Sequence, residues 1–231
     1  MGKIKLVFFD MEGTIFRKTV KTTRGNSAPS AWYLLTKELG KKAFEEAEKN
    51  RDRWTSGEIK GYVEWIDVTI ELFKKHGLKR DFFEKVMNSI EYHPGVRETF
   101  SELRKRGYLT AIISGGFKSQ ADRAQKDLKI DHTLSACEIF WNNDGTIDHW
   151  NSLPSDYEGK VKIMKLLMDE HGLKSEHCAF VGDGKNDVFL AKKVGTSIAL
   201  NAPEELQRVS THSINQPEGK EDFRDILKYL K

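Results

Sequence analysis

Val7-Phe8-Phe9-Asp10-Met11-Glu12-Gly13-Thr14 has the form of a buried strand that ends in a polar tip. An apolar run ends in an acid, a second acid follows two positions later, and Gly-Thr comes next. Residues 4–9 are apolar at nearly every position, the pattern of a central parallel strand buried on both faces. Asp10 then falls at the C-terminal tip of that strand, where open α/β sheets place their ligands. Gly13 lets the backbone leave the strand sharply. Two carboxylates this close can serve one site, one as metal ligand and nucleophile, the other beside it.

Downstream the character changes. Residues 17–26 are basic, Thr-rich and aperiodic, which predicts a loop. Ser27 or Ser30 is placed to cap a helix carrying Trp32, Leu34, Leu35 and Leu39, with Gly40 ending it. Amphipathic helices are expected over 42–54, 58–76 and 80–90. With no strand-like alternation, 17–91 reads as an all-helical cap inserted between two parts of one core, 1–16 and 92–231. From His93-Pro94-Gly95 onward strands and helices alternate. The expected order is helix 96–106, strand 108–113 ending in Ser114-Gly115-Gly116, helix 117–128 and a strand near 133–137. A hairpin over 139–150 follows, turned by Asn143-Asp144-Gly145, then helix 159–171 and strand 178–181 ending in Gly182-Asp183-Gly184. Helix 188–194, strand 197–200 and a terminal helix over 223–230 complete it. This order predicts a Rossmann-like α/β fold, a parallel sheet with helices on both faces.

The bulk numbers set bounds. A chain of 231 residues holds one α/β domain plus a smaller insert. The net charge is only +3 although 32% of residues are charged, so the charges are interspersed. A nucleic-acid partner, which calls for a clustered basic face, is not expected. The two cysteines, Cys137 and Cys178, are too few for a disulfide framework and read as buried, reduced thiols. No apolar stretch approaches the ~20 residues that span a bilayer. The first strand begins almost at once, leaving no room for a signal peptide. A cytoplasmic monomer or homodimer without a membrane partner is expected.

Three strand tips carry polar clusters: Asp10 with Glu12, Ser114-Gly115-Gly116, and Asp183 with Asn186 and Asp187. In a parallel sheet these tips share one edge. Asp10 and Asp183 are hard oxygen ligands that suit Mg2+. A carboxylate attacking phosphorus needs such a cation, because two anions otherwise repel each other. Ser114 and the N–H groups of Gly115 and Gly116 can surround phosphate oxygens at the start of the next helix. Lys160, opening a helix, is the candidate for the remaining positive charge, with Lys162 and Lys165 competing for the role.

Asp10-Met-Glu-Gly-Thr, Ile113-Ser-Gly-Gly-Phe117, a lysine opening a helix and Val181-Gly-Asp-Gly-Lys-Asn-Asp187 resemble the four ordered motifs of the haloacid-dehalogenase superfamily. The likeness is nearest to its phosphoserine-phosphatase branch and covers almost the whole chain. It implies that Asp10 is a nucleophile forming an aspartyl-phosphate and that Glu12 protonates the leaving alcohol and then activates water. It implies Mg2+ held by Asp10, the Glu12 carbonyl and Asp183, with Asp187 nearby. Ser114, Gly115, Lys160 and Asn186 become the expected phosphate and substrate contacts. The implied activity is a Mg2+-dependent phosphomonoesterase acting on a small metabolite. Phosphotransfer to an acceptor alcohol, and a catalytically weak binding or regulatory protein, are the alternatives.

Two departures from the branch matter. It usually has Asp where Glu12 stands, and the added methylene moves the carboxyl by ~1.5 Å, a shift that rotamer choice can absorb. Glu also occurs there in the enolase-phosphatase of methionine salvage and in a phosphoserine:homoserine phosphotransferase, so it does not imply inactivity. Phosphoserine phosphatases also hold the amino-acid head group with a Glu just after the first motif and an Arg in the cap. Here Ile15-Phe-Arg-Lys-Thr-Val20 has no acid, and the cap reads Tyr62-Val-Glu-Trp-Ile-Asp67. Phosphoserine is therefore expected to be a poor substrate. The cap offers Trp32, Tyr33, Trp54, Tyr62 and Trp65 instead, either as bundle core or as a wall of the cleft. Arg17, Lys18, Lys21 and Arg24 read as a solvated loop or as contacts to a second anionic group.

Overall fold

The computed structural model describes residues 3–18, 20–21, 27–28 and 30–231. Strand β1 (Leu6–Phe9) is buried at all four positions, as its uninterrupted apolar run requires. Among the described residues, the insert that follows holds a two-residue antiparallel pair, β2 (Val20–Lys21) and β3 (Ser27–Ala28). Helices α1 (Ala31–Glu38), α2 (Lys41–Thr55), α3 (Tyr62–Lys75) and α4 (Arg80–Ser89) come next. The insert is thus not wholly helical: two-residue strands are too short to show alternation. Ser30, not Ser27, caps α1, its hydroxyl accepting the Tyr33 N–H at 3.3 Å.

The remaining elements are α5 (Val96–Lys105), β4 (Leu109–Phe117), α6 (Lys118–Leu128), β5 (His132–Trp141) and β6 (Ile147–Ser152). They continue with α7 (Glu158–Glu170), β7 (Cys178–Gly182), α8 (Val188–Ala191), β8 (Thr196–Leu200), α9 (Glu204–Gln207) and β9 (His212–Ile214). The described strands outside the insert form one sheet ordered β6-β5-β4-β1-β7-β8-β9, parallel except for β6. This is the expected Rossmann-like α/β architecture. Its details differ in places. β4 does not stop at Ile113 but runs through Ser114-Gly115-Gly116, with a slip of register between Ser114 and Phe117. The helix expected over 188–194 shrinks to the four residues of α8, and the terminal helix is a 3-10 segment, Phe223–Lys228. α9 and β9 span four and three residues, too short for periodicity to reveal them.

Successive side chains of β1 point to opposite faces. Val7 and Phe9 join one apolar cluster, Leu6 and Phe8 another. Phe9 packs on Phe100 and Phe223 with ring centroids 4.8 and 6.1 Å apart, so truncating it to Ala would cost about 3–5 kcal/mol. The same cluster continues into Trp32, Leu35 and Phe73 of the insert, joining it to the sheet in one apolar body. Cys137 and Cys178 are buried and unpaired, and burial pushes their thiols up to about 12 and about 11. No helix among the described residues is long and apolar enough to cross a membrane.

Candidate active site

β1, β4 and β7 are neighbours, so their C-terminal ends bring Asp10, Ser114 and Asp183 to one edge of the sheet. Lys160, fully buried at the start of α7, places Nζ 2.6 Å from Asp10 Oδ1 and 2.7 Å from Asp187 Oδ1. Lys162 and Lys165 are exposed, which separates the three lysines. Asp187 Oδ2 in turn accepts the backbone N–H groups of Asp183 and Gly184 at 3.1 and 3.0 Å. Asp183 is held by the Thr14 hydroxyl at 2.9 Å and the Lys18 ammonium at 3.0 Å. Gly13, at φ +86°, is what allows this approach: a Cβ there would lie 2.2 Å from Asp183 Oδ2.

Burial dominates the electrostatics. It pushes Asp10 well above the ordinary carboxylate range, with Lys160 opposing and Asp187 and Asp183 adding to the rise. Burial likewise raises Asp183 against the pull of Lys18. For Lys160 burial acts downward, yet Asp10 and Asp187 overcome it and hold the ammonium above its usual value. Glu12 is pushed up to about 7 by burial, while the Ala31 N–H, which its Oε1 accepts at 3.0 Å, pulls the other way. That bond sets the Glu12 carboxyl at the N-terminus of α1 and uses the reach of the longer side chain.

Asp10, Asp183 and Asp187 each bring a carboxylate oxygen within 4.8 Å of one another, all buried. Three carboxylates here meet two ammonium groups, Lys160 and Lys18, so the cluster is short of positive charge. An all-oxygen donor set with that deficit fits a hard divalent cation.

Beside the acids, the Ser114 carbonyl accepts the Ser155 hydroxyl at 2.6 Å, and its Oγ accepts the Gly116 N–H at 3.0 Å. The Gly116 N–H is therefore engaged within the turn rather than free. Asn186 donates to Asp156 at 2.6 Å, and Asp156 stands 3.8 Å from Lys160. Gly115 must lack a side chain here, since a Cβ would meet Asp156 at 2.6 Å and the Tyr62 hydroxyl at 2.8 Å.

A cleft of about 260 Å³ opens over these groups, with Asp10, Glu12, Ser114, Gly115, Asp183 and Asn186 in its lining. The facing side is aromatic: Trp32, Trp54, Tyr62, Trp65 and Tyr157. Trp65 lies 5.1, 5.3 and 5.4 Å from Trp32, Trp54 and Tyr62, and Trp54 meets Tyr157 edge-on at 5.8 Å. Tyr33 turns away onto Phe44. Of the basic residues after the first motif, Arg17 pairs with Glu91 and Lys18 is taken by Asp183. The Lys21 side chain and Arg24 lie outside the described residues. Sequence reasoning missed Thr14, Ser155, Asp156 and Tyr157; the available signal was an acid four residues before a helix-opening lysine.

An acid-lined strand edge with a buried lysine, under a mostly helical cap, marks an enzyme of the phosphatase class. Likenesses to known proteins agree. The profile of the haloacid dehalogenase-like hydrolases matches residues 4–195, and the chain belongs to that family. It is 28% identical over 240 residues to a phosphoserine phosphatase of Methanocaldococcus jannaschii, covering 99% of each chain. It is 28% identical over 227 residues to one of Archaeoglobus fulgidus, a match that takes in 98% of this chain and 60% of that relative's length. A solved phospho-aspartyl intermediate analogue of phosphoserine phosphatase superposes with a TM-score of 0.77 at 25% identity, both chains fully covered. These likenesses set the chain on the phosphoserine-phosphatase-like branch.

Proposed function

We propose that the protein is a Mg2+-dependent phosphomonoesterase that passes the phosphoryl group of a small metabolite through an aspartyl-phosphate at Asp10. Residues 1–16 and 92–231 act as the core and 17–91 as the cap. The observation that carries this reading is the buried array of Lys160 and Asp187 behind Asp10, which lines the cleft together with Asp183.

Mg2+ would be held by Asp10, Asp183 and Asp187 with the Glu12 carbonyl, and when bound it supplies the charge neutralisation that lets one anion approach another. Asp10 lines the cleft, with one oxygen pinned by Lys160. A carboxylate oxygen of Asp10 forms a bond to phosphorus as the ester P–O bond breaks, and Glu12 gives its proton to the departing alkoxide. Water then attacks the phosphorus, Glu12 takes its proton, and the bond to Asp10 breaks to release phosphate. Splitting one displacement into two lowers each barrier. Ser114 and Lys160 hold the phosphoryl oxygens throughout.

The relatives named above are phosphoserine phosphatases, but the cleft argues for a different leaving group. Among its described lining residues the side-chain cation is Lys18, already bound to Asp183, and rings occupy the cap side. An ester with an apolar or ring-bearing leaving group suits that surface. The test is turnover of p-nitrophenyl phosphate with Mg2+, with the phosphoryl label recovered on Asp10 after acid quench. Absence of both turnover and label overturns the reading.

A further inference from the structure

Two side chains of the cap converge on one backbone atom in the lining of the cleft, the carbonyl oxygen of Gly115. The pairing of β4 with β5 slips between Ser114 and Phe117, which takes this peptide out of the regular ladder. Gly115 is half-buried at the edge of the cleft, and a carbonyl released from its ladder there is open to other donors. Both that it finds come from the cap. Trp32 Nε1 on α1 lies at 3.1 Å, and the Tyr62 hydroxyl on α3 lies at 2.5 Å. Together they occupy both lone pairs of the oxygen.

The consequence passes through the peptide plane. The Gly115 C=O and the Gly116 N–H are opposite ends of one planar trans unit, so fixing one end fixes the other. The Gly116 N–H points at Ser114 Oγ, 3.0 Å away. An oxygen that accepts this bond keeps its own O–H to donate elsewhere, and the open direction is the cleft that Ser114 lines. The Ser114 carbonyl is tied separately to the core by Ser155. The turn thus has one tether to the core and one to the cap.

We propose that Trp32 and Tyr62 are positioning residues for phosphoryl transfer: by holding the Gly115–Gly116 peptide they orient the Ser114 hydroxyl, so the phosphate cradle is complete only with the cap seated on the core. This rests on the reading of Ser114 as a phosphate contact. The competing account is plain packing. Tyr62 stacks on Trp65 at 5.4 Å and Trp32 lies on Phe117 at 3.9 Å. Packing does not depend on the phenol hydroxyl, which separates the two accounts.

The experiment measures binding of inorganic phosphate by calorimetry in the presence of Mg2+, for the parent, Tyr62→Phe, Trp32→Phe, Ser114→Ala and the Tyr62→Phe/Ser114→Ala pair. It adds kcat and KM on an aryl and an alkyl phosphate. Tyr62→Phe keeps the ring, and a thermal melt checks the fold. Its phosphate affinity should fall about three- to tenfold, the worth of one hydrogen bond. kcat should drop by a similar factor on both esters, and the loss should largely vanish in the Ser114→Ala background. Trp32→Phe, which removes the other donor, gives a second measurement should the first variant fold poorly. If Ser114→Ala itself leaves phosphate affinity unchanged, the cradle reading is at fault. If Ser114→Ala weakens binding while Tyr62→Phe and Trp32→Phe both match the parent, the positioning role is overturned. A change confined to KM for one ester, with phosphate affinity intact, makes Tyr62 a leaving-group contact and overturns it equally.

Discussion

On the core side of the cleft, Asp10, Asp183, Asp187 and Lys160 crowd around the tips of β1 and β7; on the cap side, Trp32, Trp54, Tyr62 and Trp65 face them with rings. The core side is a closed network in which each charge has partners. Removing Lys160 would leave the buried Asp10 and Asp187 carboxylates uncompensated, at a cost of about 3–5 kcal/mol. The cap side is held by ring contacts that tolerate exchange, with single aromatic pairs contributing about 0.5–1.5 kcal/mol beyond their buried area. The core wall can hardly vary without losing the chemistry, whereas on the cap wall Trp54 and Trp65, which do not hold the Gly115 carbonyl as Trp32 and Tyr62 do, can vary and change only what is accepted.

The largest effect belongs to the core wall. Asp10→Asn preserves shape while removing the proposed nucleophile and one carboxylate of the metal cluster. Turnover should fall by more than about a thousandfold, with circular dichroism unchanged. Turnover within about tenfold of the parent would remove Asp10 from the mechanism.

Metal removal should act on the same wall reversibly. EDTA is expected to abolish activity and Mg2+ to restore it. Ca2+, which takes more oxygen ligands at longer distance, should not restore it, because it lets the carboxylate settle in a pose that does not attack. Full activity with Ca2+ in a steady-state assay would break this account of the acidic cluster.

Glu12 stands between the walls, its backbone in the first motif and its carboxyl on the N-terminus of α1. Glu12→Gln should depress turnover of alkyl phosphates far more than of aryl phosphates, since an aryl leaving group departs without a proton. A burst of aryl product should then reveal the slowed second step. Equal losses on both esters without a burst would leave Glu12 acting only through its carbonyl. Glu12→Asp should lose the Ala31 contact as well, and so should not regain parent activity.

The two walls also differ in how far the sequence disclosed them. The core wall was legible because Asp10 and Asp183 each follow an apolar run with glycine within three residues, a local signal that a parallel sheet then gathers at one edge. Lys160 could be separated from Lys162 and Lys165 only by burial, which depends on how α7 packs. Ser155 and the Thr14 hydroxyl were invisible because their partners are 41 and 169 residues away, and Asp156, whose Asn186 partner lies 30 residues on, left only its spacing to Lys160 as a sign. On the cap wall, composition named the aromatics without orienting them. Trp32 and Tyr33 are adjacent, so the helical turn of about 100° per residue sends one to the cleft and the other to Phe44. Strand β4 overran its expected end because a slipped register, not a chain reversal, accommodates the two glycines.

The smallest expected effect lies in the cap wall and concerns choice of substrate. Phosphoserine carries an ammonium and a carboxylate besides its phosphate. A site that draws them in without partners forfeits hydration worth several kcal/mol. The described lining offers Asp156 near one end, but its carboxylate is engaged by Asn186, and Lys18 is engaged by Asp183. An ester with a ring on its leaving group would instead lie against Trp54 and Trp65. Kinetics on a panel of phosphorylated metabolites should therefore rank ring-bearing esters above phosphoserine in kcat/KM. Trp54→Leu should narrow that preference by about two- to tenfold, the worth of one aromatic contact, while leaving a small alkyl phosphate nearly untouched. If phosphoserine leads the panel by about tenfold or more, the cap reads a zwitterion after all, and selectivity sits in residues other than these rings. If Trp54→Leu lowers all esters alike, Trp54 too serves the chemistry rather than the choice of substrate, and no part of the cap wall is left to selectivity alone.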